Sequence, residues 1–156
     1  EKLISKNFFQ NQVFYKIGSS NLILLNYLDA IKNFTEYIKY DADEANAYLN
    51  RGDAKFKLGD YVGAINDYKK SIQVNKKSYV AFNNMGVSKF NLKEYRNALK
   101  DFKKSLELNN YNYNTFYNKA MAHYELKEIK KACIDLKKSI RLGKEIFEDE
   151  YSKICF

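Results

Sequence analysis

One period governs this chain: residues 45–78, 79–112 and 113–146 align with one another without a gap at 34 residues each, and a weaker fourth copy runs over 11–44. The eighth place of each block holds Gly18, Gly52, Gly86 and Ala120, and the twentieth holds Ala30, Ala64, Ala98 and Ala132. Leu24, Leu58, Leu92 and Leu126 share the fourteenth place. Aromatic columns complete the frame. They are Phe14, Tyr48, Phe82 and Phe116; then Tyr27, Tyr61 and Tyr95, continued by Ile129; then Phe34, Tyr68 and Phe102, continued by Leu136.

Within a block the apolar residues recur three, four and seven apart, as in Ala64, Ile65, Tyr68 and Ile72, which is the period of a helix with one buried face. Each block breaks near its middle, at Leu58-Gly59-Asp60 or Leu92-Lys93-Glu94, and again at its end, so the unit is a hairpin of two helices of about 14 residues. Small residues at the eighth and twentieth places let the two helices approach closely, and the aromatics are expected to fill the space between one hairpin and the next. The fold class that follows is all-α, with strand alternation absent throughout.

Composition excludes several functions. The 156 residues are 46% hydrophobic and 29% charged, which is enough apolar mass for a packed core and unlike a disordered chain. No run of 18 apolar residues occurs, and the first residues lack the pattern of a secretory signal, so no membrane association is expected. The single histidine, His123, stands in a column filled elsewhere by Asn21, Lys55 and Lys89, and is read as packed or hydrogen-bonded locally rather than as a general base. No nucleophile–base pair, glycine-rich phosphate loop or paired metal ligands can be written down, so no catalytic residue, metal or cofactor is expected. Cys133 and Cys155 are read as two small apolar residues of a reducing, cytoplasmic interior.

These columns resemble the tetratricopeptide repeat, whose pattern sets an aromatic, Leu-Gly, Tyr, Ala, Phe, Ala and Pro at fixed places along the same period. The Pro that usually closes a repeat is replaced by Ala42, Lys76, Asn110 and Lys144. The resemblance implies a right-handed α-α superhelical solenoid. Residues 1–10 would be the tail of a preceding helix or an N-terminal cap, with room for more repeats upstream, 11–146 four repeats, and 147–156 a capping helix carrying Phe147, Tyr151, Ile154 and Cys155.

Such solenoids bind extended ligands along the concave wall of first helices, and the resemblance assigns that wall here to Asn46, Asn50, Asp53, Phe56, Lys57, Asn83, Asn84, Phe90, Asn114, Tyr117, Asn118 and Tyr124. Val87, Asn91 and Met121 fall in the same places. Asn50, Asn84 and Asn118 form a ladder of amides able to donate to and accept from a peptide main chain, and Phe56, Phe90 and Tyr124 form an aromatic ladder that either holds apolar side chains or packs within its own hairpin. Related co-chaperones grip a chaperone's terminal carboxylate with a clamp of Lys, Asn and Arg. The matching places are Tyr15, Ser19, Asn50, Val80 and Asn84 in one frame and Leu49, Asp53, Asn84, Asn114 and Asn118 in the other, so the cations are missing and no such clamp is expected.

The chain carries a net +8, but 11–44 sums to −2 (three basic, five acidic) whereas 113–146 sums to +4 (eight basic, four acidic). The Lys69-Lys70, Lys103-Lys104 and Lys137-Lys138 columns are expected to face outward, each second Lys pairing on the surface with Asp67, Asp101 or Asp135 three residues earlier. The expected function is therefore a non-catalytic adaptor that binds a protein or peptide on its concave face. The alternative is an assembly scaffold that contacts an acidic protein or nucleic acid through the basic convex face of the last three repeats, nucleic acid being the less favoured ligand. Self-association through the terminal helix is a further expectation.

Overall fold

The computed structural model describes residues 2–145 and 148–155. Among them are nine helices and no strand: α1 (Lys2–Ile23), α2 (Tyr27–Tyr40), α3 (Ala45–Lys57), α4 (Tyr61–Val74), α5 (Tyr79–Asn91), α6 (Tyr95–Leu108), α7 (Tyr113–Glu125), α8 (Ile129–Arg141) and α9 (Glu148–Cys155). The chain divides into two compact units, Glu1–Lys76 and Lys77–Phe156. In the first, α1 packs on α2 and α3 on α4, with α2 against α3; in the second, α5 packs on α6 and α7 on α8, with α6 against α7 and α9 against α8.

Side chains start the helices where the sequence offers a cap. The Asp60 carboxylate accepts from the Gly63 N–H at 2.8 Å, Ser78 Oγ from Ala81 at 3.3 Å, and Asn112 Oδ1 from Thr115 at 3.0 Å. The first helix of each hairpin ends in a left-handed residue: Leu25 (φ 61°), Gly59 (φ 81°), Lys93 (φ 61°) and Lys127 (φ 61°). Only glycine takes this conformation without steric cost, so Leu25 holds it at about 1 kcal/mol of strain. Residues 2–10 are the first part of α1. They continue to Ile23 without a turn, because no glycine, proline or cluster of turn residues interrupts the chain before Gly18.

The core follows the small-residue columns. Ala30, Ala64, Ala98 and Ala132 are wholly buried, as are Phe34, Phe102 and Leu136, with Tyr68 nearly so. A Cβ added to Gly52 would lie 2.7 Å from Tyr68 Cε1, and one added to Gly86 2.6 Å from Phe102 Cε1. These rings therefore lie against a glycine of their own hairpin, while Phe34 also clusters with Ala47 and Ala54 of α3, and Phe102 with Ala122 of α7, in the next hairpin. Phe56 and Tyr61, and Phe90 and Tyr95, likewise meet edge to face within a hairpin at 5.3 and 5.2 Å. The aromatics thus meet the next hairpin, as expected, and also fill the space that the glycine column opens inside their own.

The expected surface pairing of the aspartates is also corrected. Asp67 is buried and receives Arg51 at 2.6 Å and Lys55 at 2.8 Å; Asp101 receives Lys89 at 2.6 Å, and Asp135 receives Lys119 at 2.9 Å. Every partner stands on the first helix of the same hairpin, so each carboxylate is turned to the seam between the two helices. His123 Nδ1 lies 2.6 Å from Glu128 Oε2, a local contact across the turn, as its column suggested.

Cys133 on α8 and Cys155 on α9 form a disulfide, with their Cα atoms 5.2 Å apart. The cysteines are therefore not independent apolar residues, and the cysteine argument for a reducing interior falls. Closing this loop stabilises the docked α9 by about 3 kcal/mol in the chain-entropy picture. Tyr151, Ile154 and Cys155 of α9 pack with Ala132 and Leu136 of α8 and with Ala120, Tyr117, Met121 and Tyr124 of α7. Phe147, expected in the same helix, lies outside the described residues.

Candidate binding surface

The proposed contact residues stand on α3 in the first unit and on α5 and α7 in the second. On α3, Asn46 and Lys57 are exposed, while Asn50, Asp53 and Phe56 are half-buried. Asn50 Nδ2 donates to the Tyr15 hydroxyl at 3.3 Å, and the Tyr68 hydroxyl donates to Asp53 Oδ1 at 2.7 Å. Burial first, then the Asp53 carboxylate, pushes the Tyr68 phenol far above its ordinary range, so it remains a neutral donor. Asp53 thus serves the internal structure of its hairpin, and Phe56 is engaged with Tyr61.

In the second unit α5 and α7 enclose a cavity of about 210 Å³ lined by Val87, Phe90, Asn91, Phe102, Tyr117, Asn118 and Met121. Three proposed residues, Phe90, Tyr117 and Asn118, meet there. Its floor is the wholly buried Phe102 ring, which packs against Gly86 where a side chain on α5 would leave it no room. Beside the cavity runs an amide network: Asn83 Nδ2 donates to Asn84 Oδ1 at 3.1 Å, while Asn118 Nδ2 and Thr115 Oγ1 both donate to Asn83 Oδ1, at 3.1 and 3.0 Å. An apolar floor edged by oriented amides suits one apolar side chain with its main chain held alongside.

Of the remaining proposed residues, Asn114 is exposed on α7, and Tyr124 is half-buried in the cluster that α9 covers, with Lys127 Nζ 5.5 Å from its ring centre. Tyr117 belongs to both places, lining the cavity and packing toward α9, with Lys144 Nζ 5.0 Å from its ring centre. Phe102 is the functional candidate that the sequence reading passed over. Its column marked it as core, where it is wholly buried, and gave no sign that it would also floor a cavity. Among the described residues no group of three metal-binding side chains occurs, and no helix is long and apolar enough to cross a membrane.

Models of the tetratricopeptide repeat match residues 45–78 and 79–112, and a second model described in the same words matches 113–143. No curated protein matches the chain by sequence. Among solved structures, the crystal structure of MamA superposes with a TM-score of 0.83 at 18% identity, over 97% of this chain and 86% of that one. The first TPR of Spaghetti (RPAP3), bound to the HSP90 peptide SRMEEVD, gives 0.69 at 26% identity over 73% of this chain and 92% of its own. The Arabidopsis OM64 TPR domain gives 0.67 at 25% identity over 76% and 94%. The MamA likeness speaks to fold alone.

Proposed function

The chain belongs to the tetratricopeptide repeat family, and on that premise we propose that it is a non-catalytic protein–protein interaction module that holds an extended peptide segment of a partner against α5 and α7. The observation that carries this reading is the cavity floored by Phe102 and edged by the Asn83, Asn84 and Asn118 amides. In this reading residues 11–44 are a divergent first repeat and 147–156 close the last one. The ligand's anchor is an apolar side chain rather than a terminal carboxylate. The places where related clamps carry cations hold Leu49, Asn114 and Asn118 here, and Asp53, at an amide place of the clamp, would repel a carboxylate.

The test uses an extended peptide selected from a random library on the wild-type protein and titrated by calorimetry. The Asn84→Ala/Asn118→Ala variant, checked for unchanged helicity and melting, is expected to bind it about tenfold more weakly, as two hydrogen bonds of about 0.5–1.5 kcal/mol are lost. Equal binding by that variant contradicts the reading. If binding is instead lost in Lys103→Glu/Lys104→Glu/Lys137→Glu and fades with salt, the exposed lysines of α6 and α8 are the contact surface.

A further inference from the structure

Two departures from the repeat columns meet each other between α5 and α7. The third place of the blocks holds Val13, Ala47, Ala81 and Thr115, and the fifth holds Tyr15, Leu49, Asn83 and Tyr117. Thr115 is therefore the one hydroxyl of its column and Asn83 the one amide of its own. They are bonded: Thr115 Oγ1 donates to Asn83 Oδ1 at 3.0 Å. Thr115, Ala47 and Ala81 are all wholly buried, so packing at this place asks only for a methyl group, and the hydroxyl adds a directed bond.

The direction of that bond sets the amides beyond it. Ser105 Oγ lies 3.3 Å from Thr115 Oγ1 but commits its own hydrogen to the Tyr79 carbonyl at 2.8 Å, and the Asn83 oxygen is the nearer acceptor for the Thr115 hydrogen. Asn83 is thereby held with its carbonyl toward α7 and its nitrogen toward Asn84, to whose Oδ1 it donates at 3.1 Å. Asn118 has to answer that carbonyl with its nitrogen, and Nδ2 donates to Asn83 Oδ1 at 3.1 Å; the reverse flip would set two carbonyl oxygens against each other. Asn118 therefore lines the cavity with its Nδ2 engaged, while its Oδ1 accepts no bond among the described residues. The equivalent amide of the second copy is not polarised in this way. Asn50 faces the Tyr15 hydroxyl at 3.3 Å, and a phenol can accept from an amide nitrogen or donate to an amide oxygen equally well.

We propose that Thr115 and Asn83 are positioning residues that leave the Asn118 carbonyl for the ligand, so that the α5–α7 site selects an extended segment offering a main-chain N–H beside its apolar anchor. The proposal rests on the reading of that cavity as a peptide site and adds the group that is recognised there. An acceptor fixed in a half-buried site discriminates because a ligand without the matching N–H leaves it desolvated and unpaired. Removing the Thr115 hydroxyl lets Asn83 turn over, Asn118 then presents either end of its amide, and the discrimination is lost.

The test uses the library-selected peptide, remade as a series in which one main-chain N–H at a time is replaced by an ester oxygen, and titrated by calorimetry on the full chain. One ester is expected to weaken binding to the wild type about fivefold, the effect of one ordinary hydrogen bond. Thr115→Ala, which copies Ala81, is expected to bind the all-amide peptide about fivefold more weakly and to be indifferent to that ester; Thr115→Ser keeps the hydroxyl and restores both. The coupling between residue and ester, measured as a double-mutant cycle, is a quantity that a purely structural loss would leave at zero. Asn83→Leu, which copies Leu49, removes the acceptor instead and is expected to match Thr115→Ala, so the test stands even where Thr115→Ala melts early. A wild type insensitive to every ester, with Asn118→Ala still weakening binding, overturns the proposal and leaves the peptide site standing. An ester effect of the same size in the wild type, Thr115→Ala and Asn83→Leu overturns it as well. Binding that neither Asn118→Ala nor Thr115→Ala alters removes the peptide site itself, and the proposal with it.

Discussion

Replacing Asp67 by Ala is expected to lower the unfolding free energy by about 3–5 kcal/mol, read as a shift of the urea midpoint at unchanged slope. The carboxylate is 3% exposed and accepts Arg51 Nε at 2.9 Å and Nη2 at 2.6 Å while Lys55 Nζ stands at 2.8 Å. Removing it leaves two cations inside the α3–α4 hairpin, and the guanidinium cannot simply swing away, since its Nη1 also donates to Thr35 Oγ1 on α2 at 3.1 Å. The cost is that of an unpaired buried charge rather than the net worth of the pair. An Arg51→Met/Lys55→Met/Asp67→Leu variant should therefore recover most of the loss. Asp101→Ala should cost less than Asp67→Ala, because the third copy has Met85 where the second has Arg51, and Lys89 is the salt-bridge partner assigned to Asp101.

A second large effect is expected at the glycine–aromatic contact. Phe102→Ala should cost about 3–5 kcal/mol, the usual range for emptying a fully buried ring. Gly86→Ala approaches the same contact from the other side: its Cβ would sit 2.6 Å from Phe102 Cε1, and overpacking of this kind costs about 1–3 kcal/mol. The last repeat shows how the pair is balanced, carrying Ala120 and Leu136 in these two columns, both wholly buried. Gly86→Ala combined with Phe102→Leu copies that solution and is expected to be more stable than Gly86→Ala alone, a non-additivity that a double-mutant cycle in urea would measure.

Much of this architecture was legible because a repeat writes each contact several times. The glycine, alanine and leucine columns located helices and turns, and the matched family models cover 45–143. Periodicity says which face of a helix is buried but not what that face meets, so the inward turn of Asp67, Asp101 and Asp135 was missed: their neighbours in sequence are lysines, and their partners lie on the other helix of the hairpin. The Cys133–Cys155 bond was invisible for a related reason, since its two cysteines share no column and no repeated spacing. Of the proposed contact residues, Phe90, Tyr117 and Asn118 converge on one cavity, while Asp53 and Phe56 were drawn into their own hairpin by Tyr68 and Tyr61. A column records where a side chain starts, and whether its tip reaches solvent depends on partners that a single chain position does not reveal.

If ligand lies against α5 and α7, backbone amide NMR during titration with the selected peptide will show it residue by residue. The shifts are predicted to concentrate at Val87, Phe90, Asn91, Tyr117, Asn118 and Met121, around the Phe102 floor. Shifts confined instead to Lys103, Lys104, Lys137 and Lys138, with the cavity residues unmoved, would contradict it.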